Sequence, residues 1–185
     1  DDIERIIEKL KELLERNKRH TEEVIKELER LLRENERHSR EVKKRLEELL
    51  KRLEDVVRRE GTDERLKKLA EDVLREVRDI LRRNEEHSRD SSEKVREIIE
   101  RNEEHSRRSS DTVDKILEEV RRKGLPEEVI RRIEEAVREV KEANKDLVRE
   151  SRRVARRVEE ENKRLVEESR RVVEKVEKRI RDLLR

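Results

Sequence analysis

The sequence predicts an all-α fold: a long, antiparallel three-helix bundle that runs up, down and up, with nearly straight helices. Apolar residues recur at helical spacing along the whole chain. Glycine and proline occur only at Gly61, Gly124 and Pro126, so helix-breaking residues are confined to two short segments. Much of the pattern repeats every 18 residues, which is five turns at about 3.6 residues per turn. Because this is the period of a relaxed helix, no supercoiling is expected.

The two short segments divide the chain into three pieces of similar length. Gly61 precedes Thr62 and Asp63, an arrangement typical of a C-terminal glycine followed by an N-cap and an acidic first turn. Gly124 and Pro126 repeat this arrangement, since proline suits the first turn of a helix. Such short connections force consecutive helices to run antiparallel. We therefore predict a single domain, residues 1–185, with helices at about 2–60, about 63–123 and about 126–185.

The composition excludes several classes of protein. Of the 185 residues, 57% are charged and 29% hydrophobic, which alone would suggest disorder, but the regular apolar spacing predicts long packed helices. The formal net charge of +2 provides no global attraction to nucleic acid or membranes. The chain has no Cys and therefore no disulfide or thiol chemistry. It also has no membrane-spanning run or signal peptide, so we expect a soluble protein, cytoplasmic in an expression host.

Polar residues recur in step with the apolar ones. One 18-residue unit appears in tandem, as RRNEEHSRDSSEKVREII at 82–99 and ERNEEHSRRSSDTVDKIL at 100–117. Asn17 and Asn35 share the helical phase of Leu53, and Asn84 and Asn102 share that of Leu66, so these amides are predicted to occupy core positions. The full set of predicted buried polar residues is Asn17, His20, Thr21, Asn35, His38, Ser39, Asn84, His87, Ser88, Ser91, Asn102, His105, Ser106, Ser109, Asn144, Ser151, Asn162 and Ser169.

These residues are expected to form hydrogen-bond networks, because a buried polar group without a partner costs several kcal/mol. Folding the first helix back about Gly61 brings together residues whose numbers sum to about 122. The expected contacts are Asn17–His105, His20–Asn102, Asn35–His87 and His38–Asn84. Folding the second helix onto the third gives a sum of about 249, and contacts His105–Asn144 and His87–Asn162. Two polar layers result.

A structural role for these layers is favoured over chemical ones. A zinc site needs three or four ligands, whereas each layer supplies two histidines and no carboxylate in phase, so no metal site is predicted. Ser, His and Asn are also found in hydrolytic triads, but no buried acid would orient the histidine and no oxyanion hole is apparent. We predict no catalytic residue, no cofactor and no enzymatic activity. The layers instead disfavour slipped helices, which would bury unpaired polar groups against Leu or Val.

The exact 18-residue periodicity, the absence of aromatic residues, the surfaces of Glu, Arg and Lys and the glycine-marked loops resemble those of de novo designed helical bundles with modular buried hydrogen-bond networks. The resemblance covers the whole chain and implies a scaffold without a natural substrate. Networks of His and Asn are also similar to those of designed pH-responsive assemblies. This implies an alternative function as a pH-responsive or helix-displacement switch, or as an oligomerisation module.

The apolar stripe of the first helix covers an arc of roughly 140°, wide enough to face two partner helices. One three-helix core can therefore cover the apolar stripes, which favours a monomer over a homo-oligomer. No natural partner, nucleic acid or membrane is expected. Buried histidines should have a pKa below about 6.5, because burial disfavours their charged form. We also expect that protonation removes the acceptor of a network histidine.

Overall fold

The computed structural model describes residues 2–60 and 64–184, which form three α-helices. Helix α1 spans Asp2–Glu60, α2 spans Glu64–Arg122 and α3 spans Glu127–Leu184. The predicted all-α three-helix bundle is confirmed. The turn predicted at Gly61 and Thr62 lies outside the described residues.

The turn between α2 and α3 is closed by Gly124, whose φ of 63° lies in the left-handed region where glycine is favoured. Before it, the backbone N–H of Lys123 still donates to the carbonyl of Glu119 at 3.1 Å. After it, the carbonyl of Pro126 accepts the backbone N–H of Ile130 at 3.1 Å. This glycine therefore ends α2, and the chain re-enters a helix within a few residues.

The helices pack in two compact units. The first unit combines α1 up to Glu29 with Val95–Arg157, and the second combines Arg30–Lys94 with α3 from Val158 onward. The apolar core of the first unit consists of Leu10, Val113, Val120, Ile133, Val137 and Val140. The core of the second unit is built around Leu46, Leu49, Leu53, Leu66, Val77, Val176 and Ile180. Each core takes residues from all three helices, and those on one helix are separated by steps of three and four or by sums of such steps, as the sequence pattern indicates.

Surface ion pairs report how α2 and α3 are aligned within each unit. They are Glu103–Arg152, Asp114–Lys141 and Arg121–Glu134 in the first unit, and Arg78–Glu177 and Glu85–Arg170 in the second. The residue numbers of every pair sum to 255, so α2 and α3 are antiparallel in both units and share one register. Exposed pairs of this kind contribute little stability, with a median of about 0–1 kcal/mol, but they are clear markers of alignment.

Candidate functional site

A network of four polar residues joins the three helices in the first unit. Asn17 of α1 lies at its centre, and its Nδ2 donates to Ser109 Oγ at 2.6 Å and to Asn144 Oδ1 at 2.7 Å. Asn144 Nδ2 donates in turn to Ser109 Oγ at 3.1 Å. His105 Nε2 donates to Asn17 Oδ1 at 3.0 Å. We call these residues the first network.

The second unit contains the same arrangement. Asn35 Nδ2 donates to Ser91 Oγ at 2.7 Å and to Asn162 Oδ1 at 2.5 Å, and Asn162 Nδ2 donates to Ser91 Oγ at 3.1 Å. His87 Nε2 donates to Asn35 Oδ1 at 3.0 Å. We call these residues the second network. Each member lies 18 residues from its counterpart in the first network, so the five-turn period copies both the positions and the bonds.

Both networks are satisfied polar clusters within apolar cores. Their asparagines and serines are at most 4% exposed. Burial of an amide is costly unless its N–H and C=O groups find partners. Asn17 uses both of its N–H groups and its oxygen, and Asn35 does the same. The central asparagine of each network therefore has no unused hydrogen-bonding group.

A second type of polar contact links α2 directly to α3. Asn102 Nδ2 donates to Ser151 Oγ at 2.9 Å in the first unit, and Asn84 Nδ2 donates to Ser169 Oγ at 2.8 Å in the second. The hydroxyl of Ser151 itself donates to the backbone carbonyl of Val148 at 2.8 Å. We call these the asparagine–serine pairs.

The asparagine–serine pairs correct part of the predicted pairing. Asn102 and Asn84 bind serines of α3, so the predicted partners His20 and His38 on α1 are wrong for them. The predicted bonds His105–Asn17 and His87–Asn35 are present.

The predicted pairing of side chains between α2 and α3 is also wrong by one helical turn. Asn144 bonds Ser109 rather than His105, and Asn162 bonds Ser91 rather than His87. The numbers of bonded residues on α2 and α3 sum to 253 instead of about 249. Side chains lean toward the N-terminus of their own helix. Where two antiparallel helices meet, each contacting side chain therefore belongs to a residue whose Cα atom lies on the C-terminal side of the contact. The numbers of bonded residues then sum to a larger value than the numbers of residues whose Cα atoms face each other.

Histidines stack in pairs where α1 meets α2. The rings of His20 and His105 have centroids 3.9 Å apart and an interplanar angle of 27°. The rings of His38 and His87 are 4.1 Å apart at 31°. We call these the first and second histidine pairs. All four residues are half-buried, and the Nε2 atoms of His20 and His38 are buried without a hydrogen-bond partner in the part of the chain that the structure describes.

Burial lowers the pKa of His38 below its ordinary value of 6.5; the neighbouring His87 lowers it further, and Glu41 opposes both effects. Burial also lowers the pKa of His105, with additional lowering from His20 and Arg108. Glu41 and Arg108 are not among the residues predicted from the sequence. Each follows its histidine by three residues and therefore lies on the same side of its helix, a spacing that could have identified both.

The expected loss of an acceptor on protonation is also wrong. Since the amide oxygen of Asn17 can only accept, the Nε2 atom of His105 must carry a hydrogen. A further proton would go to the other ring nitrogen and leave this bond in place. The same holds for His87 and Asn35. For His105, burial and the neighbouring ring of His20, rather than a broken bond, therefore oppose protonation.

The remaining predicted residues lie at the margins of the networks. Thr21 is buried, whereas Ser39, Ser88 and Ser106 are half-buried. Within residues 2–60 and 64–184, none of these four side chains makes a hydrogen bond. Water can reach the three half-buried serines, and the structure brings none of the four residues into the networks.

No three His, Asp or Glu side chains in the described ranges converge as a bound metal ion requires. No described helix has a segment long and apolar enough to cross a membrane.

The fold and the site together define a three-helix bundle with buried hydrogen-bond networks of Asn, Ser and His. A solved structure described as a computationally designed three helix bundle resembles this chain, with a TM-score of 0.41 and 17% sequence identity. The match covers 100% of this chain and 85% of the other. No protein-family model and no curated protein sequence matches the chain.

Proposed function

We propose that this chain is a designed structural scaffold whose two buried networks set the register of its helices, and that it has no natural biochemical activity. The observation that carries the proposal is the exact repetition of one network 18 residues away, with the same donors and acceptors. A purely apolar core would give less discrimination between alternative alignments, because Leu and Val have no directional partners. Each network instead requires polar residues of all three helices to meet at one level.

The cost of a slipped alignment supports this role. If α1 moved by one turn, Asn17 would leave the N–H of His105 and the carbonyl of Asn144 without partners inside the bundle. Each buried group left unpaired costs about 1–3 kcal/mol. Two networks would lose several such bonds together, which is large against a typical total stability of about 5–15 kcal/mol.

Distance measurements by pulsed electron paramagnetic resonance can test the role in register. The chain has no native cysteine, so spin labels at Lys51→Cys and Arg75→Cys would report specifically on α1 and α2 in the second unit. Both positions are exposed. In the parent we expect one narrow distance. In a variant that lacks both networks (Asn17→Leu, Asn35→Leu, Ser91→Ala, Ser109→Ala, Asn144→Leu and Asn162→Leu), we expect a broad or split distribution, because the remaining apolar contacts allow several alignments.

A matched control carries Asn84→Leu and Ser169→Ala, which removes only the asparagine–serine pair of the same unit. This pair joins α2 to α3, so the distance between α1 and α2 should stay narrow. An equally narrow distance in the variant without both networks would show that apolar packing alone sets the register, and the proposal would fail.

We also propose that the chain is a monomer without a nucleic-acid, membrane or cofactor partner, and that it is not an enzyme. The support for a monomer is that apolar residues of all three helices are consumed within each unit. The support against catalysis is that the bonded imidazoles contact amides, which carry no negative charge to stabilise an imidazolium as a buried carboxylate does. Light scattering after size exclusion should give a mass near 22.7 kDa. A dimeric mass would favour the oligomerisation alternative.

A second candidate function, an acid-responsive module, is favoured by one observation. Both histidine pairs lie between α1 and α2, and each contains a buried Nε2 without a partner among the residues that the structure describes. Acid should therefore loosen α1 from α2 before it affects α2 and α3. Labels at Lys51 and Arg75 should show a longer or broader distance at pH 5 than at pH 7, whereas labels at Arg75 and Lys178 should not. Parallel changes in both distances would contradict this candidate.

A further inference from the structure

We propose that the two histidine pairs take up protons at different pH, the second pair before the first, because opposite charges flank them. This inference deepens the acid-responsive candidate and uses the same histidines. It concerns only the order of protonation, so it does not require the bundle to open.

The two pairs have nearly the same internal geometry. Their ring centroids are 3.9 and 4.1 Å apart, and their interplanar angles are 27° and 31°. In each pair the α2 histidine donates to the central asparagine at 3.0 Å, and the α1 histidine has a buried, unpartnered Nε2. Geometry and bonding therefore provide little reason for the pairs to differ, and any difference must come from their surroundings.

The clearest difference lies on α2, three residues after each histidine. His105 is followed by Arg108, whereas His87 is followed by Asp90 at the equivalent position of the repeat. Residues three apart share a side of the helix. Both Arg108 and Asp90 are exposed, so neither is required for packing. A cation thus stands beside the first pair where an anion stands beside the second.

The other charged neighbours reinforce this difference. On α1, a glutamate lies three residues after the histidine in both repeats. Four residues before the histidine, the first repeat has Arg16 and the second has Glu34. Four residues before the α2 histidines, both repeats have arginine. Helix α3 reaches each network through an uncharged amide, Asn144 or Asn162. The first pair is thus flanked by Arg16, Glu23, Arg101 and Arg108, and the second by Glu34, Glu41, Arg83 and Asp90.

Ion pairs within these sets do not remove the difference. In the first unit Arg101 pairs with Glu27 at 3.7 Å and Arg108 with Glu104 at 3.5 Å. In the second unit Arg83 pairs with Asp79 at 2.7 Å. Arg45 and Glu76, beside His38, pair with each other at 2.5 Å. If each of these ion pairs is counted as neutral, the charged groups left beside the first histidine pair are Arg16 and Glu23. Those left beside the second histidine pair are the three carboxylates Glu34, Glu41 and Asp90.

Opposite charge favours the protonated imidazole and like charge disfavours it. Arg108 accordingly lowers the pKa of His105, and the position equivalent to Arg108 beside the second pair carries the carboxylate Asp90. Within each pair, a second proton is opposed by the charged ring about 4 Å away. Acidification should therefore add a proton to the second pair first and to the first pair later.

Histidine ring resonances of the full-length chain, followed by NMR from pH 8 to 5, would test the order. We expect the second pair to begin titrating about 0.5 pH unit above the first, a size set by one or two charges several ångströms away in water. Arg108→Asp should raise the midpoint of the first pair only, and Asp90→Arg should lower that of the second only. With both substitutions the order should reverse. Salt at 1 M should shrink the difference.

A matched control is Arg107→Asp, which makes the same charge change at an exposed neighbour on the outer side of α2. It should leave both midpoints in place. Equal midpoints in the parent, or equal effects of Arg107→Asp and Arg108→Asp, would overturn the proposal. Unequal midpoints in a bundle that stays closed in acid would support it while contradicting the acid-responsive function. A bundle that opens in acid with equal midpoints would do the reverse.

Discussion

The Nε2 atom of His105 donates its hydrogen to Oδ1 of Asn17 at 3.0 Å. This bond places the histidine at the donor end of the first network, since every other bond begins at an amide nitrogen. The network therefore survives protonation of the ring. Acid acts on the fold through burial of charge and through the stacked partner ring, 3.9 Å away.

Stability should fall as pH is lowered through the histidine range. The pKa values of His38 and His105 are lowered in the folded state below the ordinary 6.5, so the unfolded chain binds more protons. The full contribution is therefore present above pH 6.5, declines as pH falls toward the folded-state pKa, and then levels off. Urea melts at half-unit steps from pH 8 to 5 would measure it.

The control for that experiment replaces all four histidines with asparagine. Carboxylates begin to titrate near pH 5 in both proteins, so only the difference between their curves reports on the histidines. Parallel loss of stability in the two proteins would mean that the histidine pairs carry no acid sensitivity.

Asn17→Ala should destabilise the protein more than Asn102→Ala, although both asparagines are at most 4% exposed. The first change leaves the N–H of His105 and the carbonyl of Asn144 without hydrogen-bond partners, which should lower the free energy of unfolding by about 2–3 kcal/mol. The second leaves Ser151 still bonded to Val148, so we expect about 1 kcal/mol. Leu28→Val, at a fully buried site, should also cost about 1 kcal/mol. Denaturant melts that rank Asn102→Ala above Asn17→Ala would contradict the assigned network.

The repeat predicts equal and additive effects at equivalent positions. Asn17→Ala and Asn35→Ala remove matching sets of bonds in different units. Their free energies of unfolding should fall by the same amount, within about 0.5 kcal/mol, and the double variant should show the sum, since the two sites share no partner. Global urea melts of the three variants would measure this. A strong departure from additivity would mean that the networks are coupled.

A shorter protein should fold with one network. Removing residues 18–35, 85–102 and 145–162 takes one 18-residue block from each helix and leaves every remaining residue in its original helical phase. We expect a helical, less stable chain in which Asn17, His105 and Asn144 still meet. Circular dichroism and exchange-protected asparagine side-chain N–H signals would measure this. A chain without protected amides would show that one network needs the other.

The fold and the identity of the network residues could be predicted because both depend on helical phase. Asn17 shares the phase of a core leucine, Leu53, and that alone places its amide inside a helix bundle. Gly124 marks the end of α2 because few other residues tolerate its φ of 63°. The pairing of Asn17 with His105 followed from the simple geometry of a hairpin.

The pattern of bonds could not be predicted, because it depends on how side chains lean along the helix. The asparagines of α3 were aligned with histidines of α2 by backbone level, yet Asn144 bonds Ser109, one turn away. Stacking of His20 on His105 follows from the same lean. Thr21 was predicted to join a network since it is in phase with the core, but phase decides burial and not the presence of a partner.

Because the network is duplicated, it cannot distinguish every wrong alignment of the helices from the right one. A displacement of one helix by a full block of 18 residues would bring Asn35 to the position now held by Asn17, where it would meet Ser109 and Asn144 with every bond intact. That network would lose no hydrogen bond in such a displacement. Only the other network and the helix ends would lose their contacts. Covalent connection suppresses this mistake within one chain. If the turns were cut, the freed helices could assemble in staggered order with overhanging ends that recruit further helices, so the same repetition that makes the networks transferable would allow open-ended growth.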